Sequence, residues 1–154
     1  MYTGEKLALY GPGEWIDEPD EMDFEYMGYS CKIKRNMMGS LCGYVKVPKD
    51  HPFFGKSYDD IPIEVHGGLT YAENLDDGYW IGFDCGHSGD LSPYSNKQRE
   101  LNPFFKELHE DLQKTLKEFN PNCAWIETYK NIEYVIVECQ KMVEQLRSEC
   151  EPLV

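Results

Sequence analysis

The chain has 154 residues, of which 41% are apolar, so it is long enough to form one compact domain with a hydrophobic core. It carries 28 acidic and 15 basic side chains, for a formal net charge of -13. This charge excludes a general binder of the phosphate backbone, because affinity for DNA or RNA comes chiefly from Lys and Arg. No stretch approaches the ~18 consecutive apolar residues of a membrane span.

The chain starts without a basic patch followed by an apolar block, the pattern of a secretory leader. Its six cysteines show no CxxC pair and no dense disulfide framework. We therefore expect a cytoplasmic protein with mostly reduced cysteines, no membrane contact and no direct binding of nucleic acid. One domain is expected over residues 1–154, made of an acidic segment (1–27), a β-rich part (28–92) and two helices (102–150).

The acidity is unevenly distributed. The net charge is -7 over residues 1–27, +5 over 28–56, -8 over 57–92 and -3 over 93–154. Seven of the twelve residues from Glu14 to Glu25 are acidic, with large apolar residues between them. Two interpretations stay open: a solvated surface loop, or a surface that docks on a basic partner. If the segment is a docking surface, the residues predicted to contact the partner are Asp17, Glu18, Asp20 and Glu21.

Two hairpins are predicted from period-two alternation of apolar and polar residues. The first pairs residues 28–36 with 41–47 across a turn that contains Gly39. The second pairs Ile63–Tyr71 with Tyr79–Asp84 across a loop through Gly78. Gly67 and Gly68 interrupt this third strand, which suggests a bulge or a close backbone approach.

The last third of the chain has helical periodicity. Apolar residues recur at steps of three and four from Phe104 to Phe119, after an Asn102-Pro103 start, and a second helix with an apolar stripe begins after Asn131. Residues 123–129 between them could form a further edge strand. The predicted class is α+β, an antiparallel sheet of about four to five strands with two C-terminal amphipathic helices packed on one face.

Chemically versatile side chains are concentrated between residues 50 and 90. If the second hairpin forms, His66 comes close to the turn that contains Asp84, Cys85, His87 and Asp90. Imidazole, thiolate and carboxylate are zinc ligands, so His66, Asp84, Cys85 and His87 are candidate metal ligands. The spacing matches neither a zinc finger nor HExxH, so histidines that serve only as scaffold are the alternative.

The same residues allow two other functions. A bound divalent ion would lower the pKa of a water molecule, with Glu64 or Asp90 as general base of a small hydrolase. Alternatively the pocket would hold a small nucleotide without turnover, with the Gly67-Gly68 amides facing an anion. The candidate ligand-binding residues are Glu64, His66, Gly67, Gly68, Tyr71, Trp80, Asp84 and Asp90. Whether the protein is an enzyme stays open, zinc is the one cofactor considered, and no catalytic residue is assigned.

Four motifs, VPKDHP, GKSYDD, EVHGGLTY and GFDCGHSGD, lie between residues 47 and 90. Through these motifs, the chain over roughly residues 41–146 resembles a group of small uncharacterised proteins encoded by bacteriophages and prophages. The resemblance implies the cytoplasm of a bacterial host, where small acidic phage proteins often inhibit defence. The expected function is therefore a non-enzymatic phage accessory protein that binds and inhibits a host defence component. Residues 14–25, the 50–60 loop, or both would make the contact.

Overall fold

The computed structural model describes residues 1–121 and 126–150. Within these ranges the chain forms, in order, α1 (Thr3–Tyr10), β1 (Glu21–Tyr26), β2 (Tyr29–Arg35), β3 (Leu41–Val47), β4 (Tyr71–Leu75), β5 (Gly78–Asp84), α2 (Pro93–Leu101), α3 (Pro103–Phe119) and α4 (Ile132–Cys150). Among the described helices, none combines the length and apolar character needed to cross a membrane.

The five strands form one antiparallel sheet in the order β1-β2-β3-β5-β4. This confirms the predicted α+β class. The β2-β3 hairpin also forms as predicted. Its turn is closed by Asn36, whose Oδ1 accepts hydrogen bonds from the backbone N–H groups of Met38 and Ser40, both at 3.0 Å. Gly39 supplies the positive φ of 85° that the turn requires.

The hydrophobic core lies between one face of the sheet and α4. Alternation along the strands points Ile33, Val45 and Phe83 inward, and all three are buried. The apolar stripe of α4 packs against β2 and β3. Gly43 permits this close approach, because a Cβ there would lie 2.8 Å from Sγ of Cys139 and 2.5 Å from the Phe83 ring.

The predicted strand over Ile63–Tyr71 is wrong. β4 begins only at Tyr71, and Gly67 and Gly68 both have positive φ, 68° and 80°. The chain turns there, with the Gly68 N–H bonded to the Val65 carbonyl at 2.8 Å. Residues 61–70 lie along α4 instead, where the Gln145 side chain bonds the backbone N–H and carbonyl of Glu64 at 2.8 and 2.7 Å.

The acidic segment is partly an edge strand rather than a loop. Residues 21–26 form β1, which pairs with β2 only. Phe24 packs toward the core, whereas Glu21, Asp23 and Glu25 are exposed on the outer face. Charged side chains on an edge strand also discourage unwanted pairing with other chains.

The helix α3 forms where predicted but does not cover the sheet. Its cap is confirmed, because Asn102 Oδ1 accepts from the Phe104 N–H at 3.1 Å. No residue of α3 is buried, and its main neighbour is α2, a polar helix that apolar periodicity did not predict. α4 alone of the two predicted helices packs on the sheet, and Asn131 caps it through Oδ1. The candidate edge strand at 123–129 falls largely outside the described residues, although Thr128 makes an isolated parallel bridge with Asp90.

Candidate functional site

Asp90 is the centre of a polar cluster that we call the His66 cluster, made of His66, His87, Asp90, Lys130 and Tyr134. The Asp90 side chain is 2% exposed. Its Oδ2 accepts from His66 Nε2 at 2.8 Å and from the His87 backbone N–H at 3.0 Å, and its Oδ1 lies 3.3 Å from Lys130 Nζ. Burial by itself would raise the pKa of Asp90, but these donors outweigh it and hold the pKa below its usual value.

His66 joins this carboxylate to α4. Its Nδ1 lies 2.8 Å from the Tyr134 hydroxyl, and the two rings meet edge to face. Because ionised Asp90 can only accept, Nε2 of His66 carries the proton of this hydrogen bond, and Nδ1 is left to pair with the Tyr134 hydroxyl. Burial also raises the pKa of Tyr134. The hydroxyl, imidazole and carboxylate form a satisfied chain rather than an activated nucleophile.

The predicted proximity of His66 to the 84–90 turn is present, but strand pairing does not create it. The His66 backbone N–H bonds Oε1 of Glu138 on α4 at 3.1 Å. The His87 ring lies on the backbone of Gly67, where an added Cβ would approach it to 2.2 Å. His87 Nε2 is 2.8 Å from Oδ1 of Asp84. Since the Gly68 N–H is already bonded within its own turn, it does not serve the predicted anion cradle.

The four predicted zinc ligands do not form a metal centre. Cys85 points into the hydrophobic core beside Ile81 and Phe83, and burial raises the pKa of its thiol well above the usual value. Nowhere in residues 1–121 and 126–150 do three His, Cys, Asp or Glu side chains come together as a metal site. The alternation of β5 explains this, because the position after Asp84 faces the core.

Tyr71 and Trp80 do not share a pocket with His66. Both face the outer side of the sheet, whereas Phe83 faces the core. Tyr71 meets Tyr44 edge to face at 5.2 Å, and Lys32 Nζ lies 5.5 Å over the Trp80 ring. The predicted grouping of Tyr71 and Trp80 with His66 in one ligand pocket therefore does not form, because the two aromatic side chains lie on the outer face of the sheet and His66 lies against α4.

Three of the four predicted docking carboxylates have internal partners, and Glu21 has the weakest, an exposed ion pair with Lys34 at 3.5 Å. Glu18 accepts from Arg35 at 3.3 Å and from the Ile132 N–H at 2.7 Å, and Asp20 accepts from Arg35 at 2.8 Å. Burial would raise the pKa of Asp20, but Arg35 and Lys6 lower it overall. Asp17 and Glu21 remain exposed. A charge reversal at Glu18 or Asp20 would therefore disturb the fold and would not test docking.

A groove of about 690 Å³ lies beside the His66 cluster, between residues 62–66 and α4. Phe53 and Ile63 contribute apolar surface, and the bonds from Gln145 to Glu64 fix one wall. Four carboxylates line the groove against a single lysine, Lys141. These carboxylates belong to Glu64, Glu138, Glu144 and Glu149.

Glu138 is the unusual member of this lining. It is 6% exposed, and its Oε2 is buried and accepts no hydrogen bond from the described residues. Lys141 Nζ lies 3.0 Å from Oε2, without hydrogen-bond geometry, and the Lys141 side chain is 58% exposed. A buried carboxylate oxygen is costly unless it is well paired. The groove is therefore suited to a positively charged donor that replaces exposed Lys141 beside this oxygen.

The contribution of α4 to the site was not predicted. None of Tyr134, Glu138 and Gln145 was predicted from the sequence to belong to a site. One signal was present, because Glu138 follows Val135 by three residues and precedes Met142 by four, which places it on the apolar stripe. A carboxylate in that position needs partners from another part of the chain.

Comparisons with protein-family models, with curated proteins and with solved structures found no significant match to this chain. The resemblance to phage-encoded proteins therefore stays a prediction. What the chain can do follows from the His66 cluster and the carboxylate-lined groove.

Proposed function

We propose that this protein is a non-enzymatic binding protein that holds a basic segment of a partner in the groove between residues 62–66 and α4. The observation that carries the proposal is Glu138, which lines the groove and whose buried Oε2 has the Lys141 ammonium 3.0 Å away but accepts no hydrogen bond from the described residues. A Lys or Arg of the partner can take the place of exposed Lys141 there and add the missing hydrogen bond.

The groove is prepared for such a segment before it binds. Its volume falls within the ~300–1,000 Å³ of typical ligand sites. One wall is held by the two Gln145 bonds to Glu64 and by the bond from the His66 N–H to Glu138. A wall that is already ordered reduces the entropy lost on binding. The net charge of -13 adds long-range attraction for a basic partner.

The His66 cluster favours binding over turnover. Asp90 already accepts from His66 and His87 and pairs with Lys130, so it is not available as a general base. The thiol of Cys85 lies in the core with a raised pKa, which disfavours the nucleophilic thiolate. The cluster instead fixes residues 66 and 87–90 against α4.

We further propose that the partner is a protein of a bacterial host, such as a defence component, and that the chain acts in the host cytoplasm as a phage accessory protein. The support is the motif resemblance over residues 41–146 together with the acidic groove. Asp17 and Glu21 are a secondary contact in this proposal, since both are exposed.

The test is the affinity of a fluorescent peptide with alternating Arg and Ala for charge-reversed variants. Glu64→Lys with Glu149→Lys changes two carboxylates of the groove. The control pair, Glu133→Lys with Glu110→Lys, makes the same charge change at exposed helical positions outside it. We expect the groove pair to lose at least tenfold in affinity for the peptide and the control pair to lose less than about twofold. Binding of the peptide to the wild type should weaken at higher salt.

Equal losses in the two double variants would show that net charge alone attracts the peptide, and would refute the groove. The same variants then serve as baits in a bacterial lysate. A host partner that uses the groove is captured by the wild type and the control pair but not by the groove pair. A protein captured equally by all three binds elsewhere.

A further inference from the structure

The helix α3 exposes a continuous apolar stripe. Phe104 is 68% exposed, Phe105 51%, Leu108 54%, Leu112 43% and Phe119 88%. No residue of this 17-residue helix is buried. Large apolar patches of this kind on a folded protein mark interaction sites.

We propose that this stripe pairs with the same stripe of a second copy of the chain, so that the protein forms a symmetric dimer through α3. The spacing supports a helical partner. Phe105, Leu108, Leu112, Thr115 and Phe119 follow one another at alternating steps of three and four residues. This 3.5-residue period is the seam by which two helices pack along their length.

The exposed area is of the size that such a dimer needs. At about 200 Å² for a phenylalanine and somewhat less for a leucine, the five apolar side chains leave roughly 600 Å² exposed on each copy. A standard interface buries about 800 Å² on each partner. The polar residues beside the stripe would supply the difference as the rim of the interface.

The charge distribution favours a second copy over a membrane surface. Residues 103–119 contain three lysines and four acids, so α3 is nearly neutral in a chain of net charge -13. Two copies therefore meet at a helix that carries little of the chain's negative charge. An anionic membrane would repel the chain as a whole, and an interfacial helix normally carries an excess of Lys and Arg on its polar face.

The interface is separate from the groove. Residues 62–66 and α4 line the groove, whereas α3 has α2 as its main neighbour. The dimer thus presents two grooves, and a partner with two basic segments would gain affinity from binding both. Loss of the dimer would leave the single-groove affinity for a short peptide unchanged.

The test is the molar mass of the full chain by sedimentation equilibrium and light scattering at several concentrations. We expect a dimer for the wild type. Leu108→Glu with Leu112→Glu should raise the dissociation constant more than about 100-fold, because each buried anchor contributes about tenfold or more. Lys114→Glu, on the opposite side of α3, changes the net charge by the same amount and should leave the dimer intact.

Folding of each variant is checked by its circular dichroism spectrum, which should not change, since α3 has no residue buried within the chain. The melting temperature of a monomeric variant should fall and should no longer depend on protein concentration. Phe119→Asp, at the most exposed position of the stripe, is a second variant and should also weaken the dimer. A monomeric wild type would overturn the proposal. If that monomer bound neutral lipid vesicles, the stripe would be a membrane-binding surface instead. A dimer that survives Leu108→Glu with Leu112→Glu would overturn it as well.

Discussion

Replacement of Asp90 by alanine tests the His66 cluster most directly. The change removes two hydrogen bonds and one ion pair to a side chain that is 2% exposed. Breaking a buried charged pair by removing one partner costs ~3–5 kcal/mol. His66 and Lys130 each retain some contact with water. We therefore expect a loss near the lower end, about 3 kcal/mol of the free energy of unfolding.

The assay is urea unfolding at pH 7, followed by far-ultraviolet circular dichroism. Asp90→Asn keeps the volume and one acceptor, so its loss should be smaller, about 1–2 kcal/mol. Asp84→Ala is the control, since Asp84 is 34% exposed and its partners are His87 and Thr70. We expect it to cost less than about 1 kcal/mol.

A double-mutant cycle that combines Asp90→Ala with His66→Ala measures the interaction free energy between these two side chains. Residues that share a hydrogen bond show coupling of about 0.5–3 kcal/mol, and we expect about 1–2 kcal/mol between His66 and Asp90. If Asp90→Ala lies within about 0.5 kcal/mol of the wild type, or if the coupling is absent, the cluster does not hold residues 66 and 87–90 against α4 and the reasoning fails.

Three further predictions concern acid stability, packing and thiols. The pKa values of Asp20 and Asp90 are lowered in the folded state. Their ionised carboxylates therefore stabilise the fold above about pH 4, and this stabilisation is lost as the pH falls through the folded-state pKa values. The urea concentration at the unfolding midpoint should drop between pH 5 and pH 2.5, and it should drop less steeply in Asp90→Asn. Gly43→Ala should cost about 1–3 kcal/mol in urea unfolding by overpacking Phe83 and Cys139, and an unchanged midpoint would contradict the packing described. With Cys123 and Cys150 replaced by serine, the four remaining cysteines are buried, so Ellman's reagent should react only as the protein unfolds; rapid reaction in buffer would argue against this burial.

The sequence predicted the elements whose pattern is local. The β2-β3 hairpin, α3 and α4 depend on alternation, caps and turn residues within a few positions, so each could be recognised without knowledge of the rest. β1 was missed because its acidic residues concealed a period-two alternation with Met22, Phe24 and Tyr26. α2 was missed because a polar helix has no apolar stripe.

The tertiary structure alone decided which chemical groups meet. Residues 61–70 contain apolar positions typical of a strand, but Gly67, Gly68 and the contacts to α4 hold them in another path. Cys85 turned inward because it continues the alternation of β5 beyond Asp84, so the predicted metal set was divided between the core and the more exposed Asp84 and His87. The same alternation turned Trp80 to the outer face of the sheet. Glu138 belongs to the groove only because α4 lies beside residues 62–66, a contact between parts of the chain more than seventy residues apart. Local patterns determine secondary structure, whereas a site depends on distances that the packing of those elements sets.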